Sequence, residues 1–196
     1  MSVAALLWAY AQGRSALAHP EPWWSLPAVE ATAVSLALGL VLGLGVVAAT
    51  RELVHRTAWA AELHVSFRAI LGPLTGRRIA FLAATSGIGE ELFFRGAMQP
   101  VLGLPLTALV FGLLHVGPSR SFLPWTAWAI LMGLGFGAVF SASGSLAGCV
   151  LAHVLINHEN LHFIDAYDPR PHASAHRLGP ALVAQRLRSG GTARSR

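Results

Sequence analysis

Three short runs in this chain carry side chains able to move protons or stabilise an oxyanion. The first, "GEELFFRG", places Glu90, Glu91 and Arg95 inside an apolar stretch. The second, "FGLLH", ends on His115. The third, "HVLINHENLHF", carries His153 and Asn157 and, immediately after, His158-Glu159-Asn160-Leu161-His162. Glu91 and Arg95 stand four apart, so on a helix they share a face and can neutralise each other. That pairing alone would make Arg95 a structural counter-ion. Glu90 points about 100° away around the helix and gains nothing from it. One charge at the centre of a membrane helix costs about 2.5–3.5 kcal/mol on insertion scales, so Glu90 must be protonated, hydrated or paired from another segment. Carboxylates withdrawn from water hold a proton more readily, which suits a general base. His115 by itself would do no more than hydrogen-bond a carbonyl. His153 and Asn157, again four apart, share one face. Polar groups on three apolar segments together describe a buried hydrophilic pocket, and hence hydrolysis of something lipid-like or membrane-embedded.

The elements that must position these groups are membrane helices. The chain has 196 residues, 54% hydrophobic and 12% charged, where a soluble domain carries roughly a quarter charged residues. All of its 14 basic residues are arginine, a pattern of GC-rich coding that points to a bacterium and its inner membrane. A formal charge of +5 raises the possibility of nucleic acid as a partner. The arginines instead fall between apolar segments, as membrane topology requires, so the partners expected are the bilayer and a membrane-anchored protein or peptide. Cys149 stands alone and reads as a small buried residue.

The fold expected is all-α, a polytopic bundle of about five transmembrane helices with an amphipathic interfacial helix. The chain divides into an N-terminal interfacial segment (1–25), a first span followed by a basic amphipathic segment (26–78), a four-helix membrane core (79–164) and a basic, disordered tail (165–196). The first span runs about Leu26 to Thr50, with Trp23 and Trp24 at headgroup level. The core spans are about Ile79–Leu102, Leu104–Val116, Phe122–Ser141 and Ser145–Ile164. With Arg51 to Arg78 cytoplasmic, Arg120 and the tail also fall inside, and Arg14 is the one misfit to the positive-inside rule. Gly39-x-x-x-Gly43 and Gly133-x-x-x-Gly137 suit close helix packing. His19, His55, His64, His172 and His176 read as surface histidines.

His158-Glu159-x-x-His162 matches the H-E-x-x-H of zinc proteases, but catalytic zinc takes a third protein ligand. No glutamate follows Glu159, Asp165 replaces the glycine a metzincin turn needs, and no later span exists to supply a ligand. The motif reads as the wet end of a helix. A zinc protease centred on it remains the rival enzyme reading, and a non-catalytic membrane scaffold or immunity protein the rival outside enzymology.

Glu90-Glu91-x-x-x-Arg95, Phe111-x-x-x-His115 and His153-x-x-x-Asn157, in that order on successive apolar segments, resemble the three signature motifs of the CPBP family. These are intramembrane endopeptidases similar to type II CAAX prenyl proteases and to bacterial bacteriocin-processing or self-immunity proteins. The resemblance covers about positions 79 to 163. It implies a glutamic-type endopeptidase in which Glu90, with His115, activates water. Glu91 paired with Arg95 would hold the helix, and His153 and Asn157 would donate to the oxyanion. The family has been described both as metalloproteases and as glutamate-type proteases; the reading preferred here needs no cofactor and no metal. A small chain of this type also resembles the myxosortase-like members, which cleave C-terminal sorting tags.

Overall fold

The computed structural model describes residues 1–118 and 122–170. Among them every regular element is helical, apart from one isolated bridge between Ala18 and Ser145. In chain order these are α1 (Ser2–Ala11), α2 (Ala28–Arg56), α3 (Ala58–Leu71), α4 (Gly76–Glu91), a π-helical segment (Leu92–Met98), α5 (Gln99–Leu102), α6 (Leu104–Leu113), α7 (Leu123–Ser143) and α8 (Ala147–Ala166). The apolar segments expected from sequence coincide with α2, α4 to α5, α6, α7 and α8. Two helices, α2 and α7, are long and apolar enough to cross a membrane. α6 is a shorter apolar helix, its ten residues rising about 15 Å, so helix length alone does not establish the five spans expected. Arg120 and residues 171–196, including His172, His176 and most of the expected basic tail, lie outside the described residues.

The surface of the bundle is apolar where a soluble protein would be polar. Val41 on α2 and Phe81 on α4 are 72% and 67% exposed, and Leu44, Leu106, Leu113 and Leu131 also face outward. Meanwhile Glu91, Arg95, Gln99 and His153 are buried. That inversion is what lipid as solvent selects: leucine outside, paired polar groups within.

Small residues set the helix spacing. On α2, Ala31, Ser35, Gly39 and Gly43 recur every fourth residue and are buried against α8. A Cβ on Gly39 would stand 2.1 Å from Gly148 O, and one on Gly148 would stand 1.8 Å from Ser35 O, so the two backbones are in contact. Ser35 Oγ accepts from Gly148 N (2.9 Å) and donates to Ser145 O (2.7 Å), satisfying groups at the start of α8. The second glycine pair works on α7: Gly133 faces Ala108 of α6, and Gly137 faces Gln99 and Leu104. α7 stops at Gly144, whose φ of 81° is the left-handed C-cap that glycine adopts without strain.

The N-terminal segment is packed into the bundle. Ala5 and Ala9 of α1 are buried, and Trp8 meets the Phe93 ring at 6.0 Å. Residues 17–24 then run as a strap along the α7–α8 turn, through hydrogen bonds from His19 N to Gly144 O and from Trp23 N to Ser141 O. Arg14, the misfit to the arginine pattern, has a specific task. Pro100 has no N–H to give the turn before it, and Arg14 donates instead to Gly96 O (3.2 Å) and Ala97 O (2.9 Å).

The α2–α8 contact yields a simple test. Gly148→Ala is expected to force the two backbones apart and cost about 1–3 kcal/mol by thermal unfolding in detergent, the scale of overpacking. Gly45→Ala, on the same α2 with nothing within 4 Å of its Cβ, is expected to be neutral or slightly stabilising.

Candidate active site

The core of the site is a buried ion pair with a third partner. Arg95 Nη1 donates to Glu91 Oε1 at 2.9 Å, and both side chains are completely buried. They are i, i+4 across the junction where α4 becomes π-helical, a local widening that often accompanies functional sites. Arg95 also donates to Gly133 O of α7 (3.2 Å), a carbonyl that the glycine's bare Cα leaves within reach. Its guanidinium lies 4.4 Å from the Phe111 ring centroid and 5.2 Å from that of Phe136, with Phe94 at 5.9 Å. These aromatic faces attract the cation in place of water. Phe94 and Phe111 therefore form part of the charge's housing.

Glu91 Oε1 holds His153 Nδ1 from α8 as well, at 2.7 Å. The ring is stacked on Phe136, with centroids 5.0 Å apart and planes 15° from parallel, so its direction is fixed. With Nδ1 turned to Glu91, Nε2 faces Glu90 Oε2 at 3.9 Å. His115 reaches the same oxygen from the far side, Nε2 to Oε2 at 3.6 Å. It sits just beyond the end of α6, and its Nδ1 lies 2.6 Å from Phe111 O, one of the carbonyls a helix end leaves unpaired. Because a carbonyl only accepts, Nδ1 donates there, which leaves Nε2 turned to Glu90. Glu90 Oε2 is buried, with no hydrogen-bond partner among the described residues. Asn157, one turn below His153, is held by Ser86 of α4: Nδ2 to Oγ, 2.9 Å.

All six residues singled out from sequence thus converge where α4, α6 and α8 meet. Four of them, Glu90, His115, His153 and Asn157, line a cavity of about 370 Å³ whose wall also includes Trp59, Phe67, Trp125 and Trp128. Helix α3 forms one wall. It is fastened to the end of α8: His64 Nε2 meets Tyr167 O at 3.0 Å, Arg68 donates to Ile164 O and Asp165 O, and Asp165 Oδ1 accepts from Leu74 N at 3.0 Å. Two expectations are corrected here. His64 is not a surface histidine but 4% exposed, and its burial holds the pKa below the ordinary imidazole value. The polar tail does not begin at Asp165, which lies within α8 and ties α3 to it. No periodicity signals these contacts; the one sequence hint is an amphipathic helix followed by Gly72-Pro73.

The zinc motif is arranged differently. Glu159 is engaged by Arg51 Nη2 at 2.8 Å, and His158 and His162 meet edge to face, ring centroids 4.7 Å apart. Among the described residues no group of three or more His, Cys, Asp or Glu side chains has the arrangement to hold a metal ion. Glu90 Oε2 and the two Nε2 atoms are of donor types that zinc accepts, but that same condition covers them.

If the ion pair holds the site together, removing one partner should do more harm than removing both. Arg95→Met is expected to lower stability by about 3–5 kcal/mol, since it strands a buried carboxylate. The double substitution Glu91→Gln with Arg95→Met is expected to recover part of that loss in a detergent unfolding experiment.

No curated protein and no solved structure matches the chain. Residues 73–158 match the family model described as Type II CAAX prenyl endopeptidase Rce1-like. The matched segment runs from just before α4 to one residue beyond Asn157. The paired Glu-Glu-Arg, the histidine and the His-x-x-x-Asn that converge from three helices all fall within that segment, which is similar to the Rce1-like type II CAAX prenyl endopeptidases.

Proposed function

We propose that this protein is a glutamic-type intramembrane endopeptidase that hydrolyses a peptide bond in a membrane-associated protein, using Glu90 to activate water. The observation that carries the reading is the approach of both Nε2 atoms to one buried carboxylate oxygen, at 3.6 and 3.9 Å, in the wall of a largely apolar cavity. His115, with Nδ1–H committed to Phe111 O, offers a lone pair beside Glu90, so a water between them meets two acceptors. Glu90 takes the proton as the water oxygen attacks the substrate carbonyl. Charge balance assigns the remaining parts. Glu90 and Glu91 carry two negative charges, which Arg95 and a protonated His153 cancel inside the membrane. His153 then donates Nδ1–H to Glu91 and has Nε2–H free for the oxyanion, joined by the second N–H of the Asn157 amide. Collapse of the tetrahedral intermediate breaks the C–N bond, and Glu90 returns its proton to the departing nitrogen. The products are an amine and a carboxylic acid, which ionises by releasing the second water proton to solvent, with no acyl-enzyme. Glu91, shared between Arg95 and His153, orients the ring and touches neither water nor substrate.

In this reading the chain resides as a multi-pass protein in a bacterial inner membrane, and its substrate is CAAX-like or carries a C-terminal sorting tag. Metal is not required. A zinc centre on His158, Glu159 and His162 is disfavoured because Glu159 is bound to Arg51 at the helix end.

Cleavage of a membrane-anchored substrate should fall by about 10³-fold in Glu90→Gln, the worth of a positioned general base. Asn157→Ala should lose about 10²-fold, the scale of one oxyanion donor. Glu159→Gln and treatment with EDTA should leave the rate within a factor of two or so of the untreated enzyme. Loss in Glu159→Gln with Glu90→Gln intact would transfer the chemistry to the zinc motif, and no cleavage above background by the wild type would point to a scaffold.

A further inference from the structure

The cavity has a polar edge that catalysis as proposed above does not use up. On α8, His153, Asn157 and Asn160 stand at i, i+4 and i+7, one face of the helix, and all three line the cavity. His153 is engaged by Glu91 and Asn157 by Ser86. Asn160 Oδ1 is buried and has no hydrogen-bond partner among the described residues. The same is true of Thr50 Oγ1 on α2, the helix packed against α8, and Thr50 also lines the cavity. Gln99 is shared by Gly137 O and Ser141 Oγ, and Ser35 by Ser145 O and Gly148 N; of the buried side-chain atoms without a partner among the described residues, those whose residues line the cavity are Glu90 Oε2, Thr50 Oγ1 and Asn160 Oδ1. An acceptor left over in the wall of a binding cavity calls for a partner from outside the chain. The same cavity is lined by large apolar rings: Trp59, Phe67, Trp125 and Trp128.

A cavity with amide acceptors along one edge and aromatic surface elsewhere suits an extended peptide, whose main-chain N–H groups turn one way and whose apolar side chains turn the other. A continuous helix does not fit that edge, since its N–H groups are spent on its own carbonyls. The helix rise sets the register. Asn160 lies about 10.5 Å along α8 from His153, and an extended strand advances about 3.3 Å per residue, so the two are about three residues apart on the substrate.

We propose that Asn160 is a substrate-positioning residue, accepting a hydrogen bond from a main-chain N–H about three residues from the scissile bond, and that the substrate is an apolar peptide segment bound extended along α8. This rests on the endopeptidase reading of the same site.

The test uses the full chain in detergent micelles and a mass-encoded library of short peptides rich in leucine and aromatic residues. The best Glu90-dependent cleavage is then repeated with each amide near the cut N-methylated in turn. Wild type is expected to lose about tenfold in kcat/KM at one position about three residues from the cut, the size of one uncharged hydrogen bond. Asn160→Leu is expected to lose the same factor on the unmethylated peptide and to be indifferent to methylation at that position. A change confined to folding would leave the methylation pattern intact. Should Asn160→Leu fail to fold, Asn160→Ser is read in the same way. Identical methylation profiles in wild type and variant, with cleavage still dependent on Glu90, would overturn this inference alone. No cleavage by wild type, or equal cleavage by Glu90→Gln, would remove the endopeptidase reading and this inference with it.

Discussion

A guanidinium and a carboxylate, both fully buried within an apolar bundle, constrain everything around them. Neither Arg95 nor Glu91 can be left single in that setting, because an unpaired charge costs several kcal/mol there. Their pairing dictates which way α4 turns at its π-helical end, requires a bare glycine carbonyl from α7, and requires aromatic faces where water would otherwise stand. It also fixes α8, because His153 shares the same carboxylate oxygen. One contact therefore joins three helices. Once Glu91 is committed inward, its neighbour Glu90 is turned toward the cavity and toward both imidazoles.

The remaining packing keeps that junction in place. Backbone contact between Gly39 and Gly148 holds α2 against α8, and Gly133 and Gly137 bring α7 onto α6 and α5. The N-terminal segment matters for a less expected reason. Arg14 reaches the carbonyls of the π-helical turn ahead of Pro100, so the shape of the active-site helix depends on a residue more than eighty positions earlier in the chain. Helix α3 forms a wall of the cavity and is held to the end of α8 through His64 and Arg68, with Phe67 packed on Phe122 and Trp125.

What could be read directly from sequence was whatever has a period or a cost. Glu90, Glu91 and Arg95 announced themselves because charges in apolar runs are expensive, and the i, i+4 spacings correctly paired Glu91 with Arg95 and put His153 and Asn157 on one face. The apolar segments coincided with helices to within a few residues, and the glycine pairs lie where backbones touch. Contacts between a side chain and a distant carbonyl have no such signature. Arg14 looked like a topological misfit, His64 like a surface histidine and Asp165 like the start of a tail. Each is spent on a main-chain group on another element. The number of spans is less legible: apolar composition marks five segments, but only α2 and α7 are long and apolar enough to cross by those two measures, and helix length depends on where residues such as Gly103 end an element.

The account turns on water as the attacking group, held between Glu90 and His115. The direct measurement is a single turnover of a Glu90-dependent substrate in water enriched in heavy oxygen, with hydroxylamine present. One heavy oxygen in the new carboxylate and no hydroxamate is the predicted result. A hydroxamate product, with no label acquired during the turnover, would mean that a side chain of the protein attacks first, and would contradict the account.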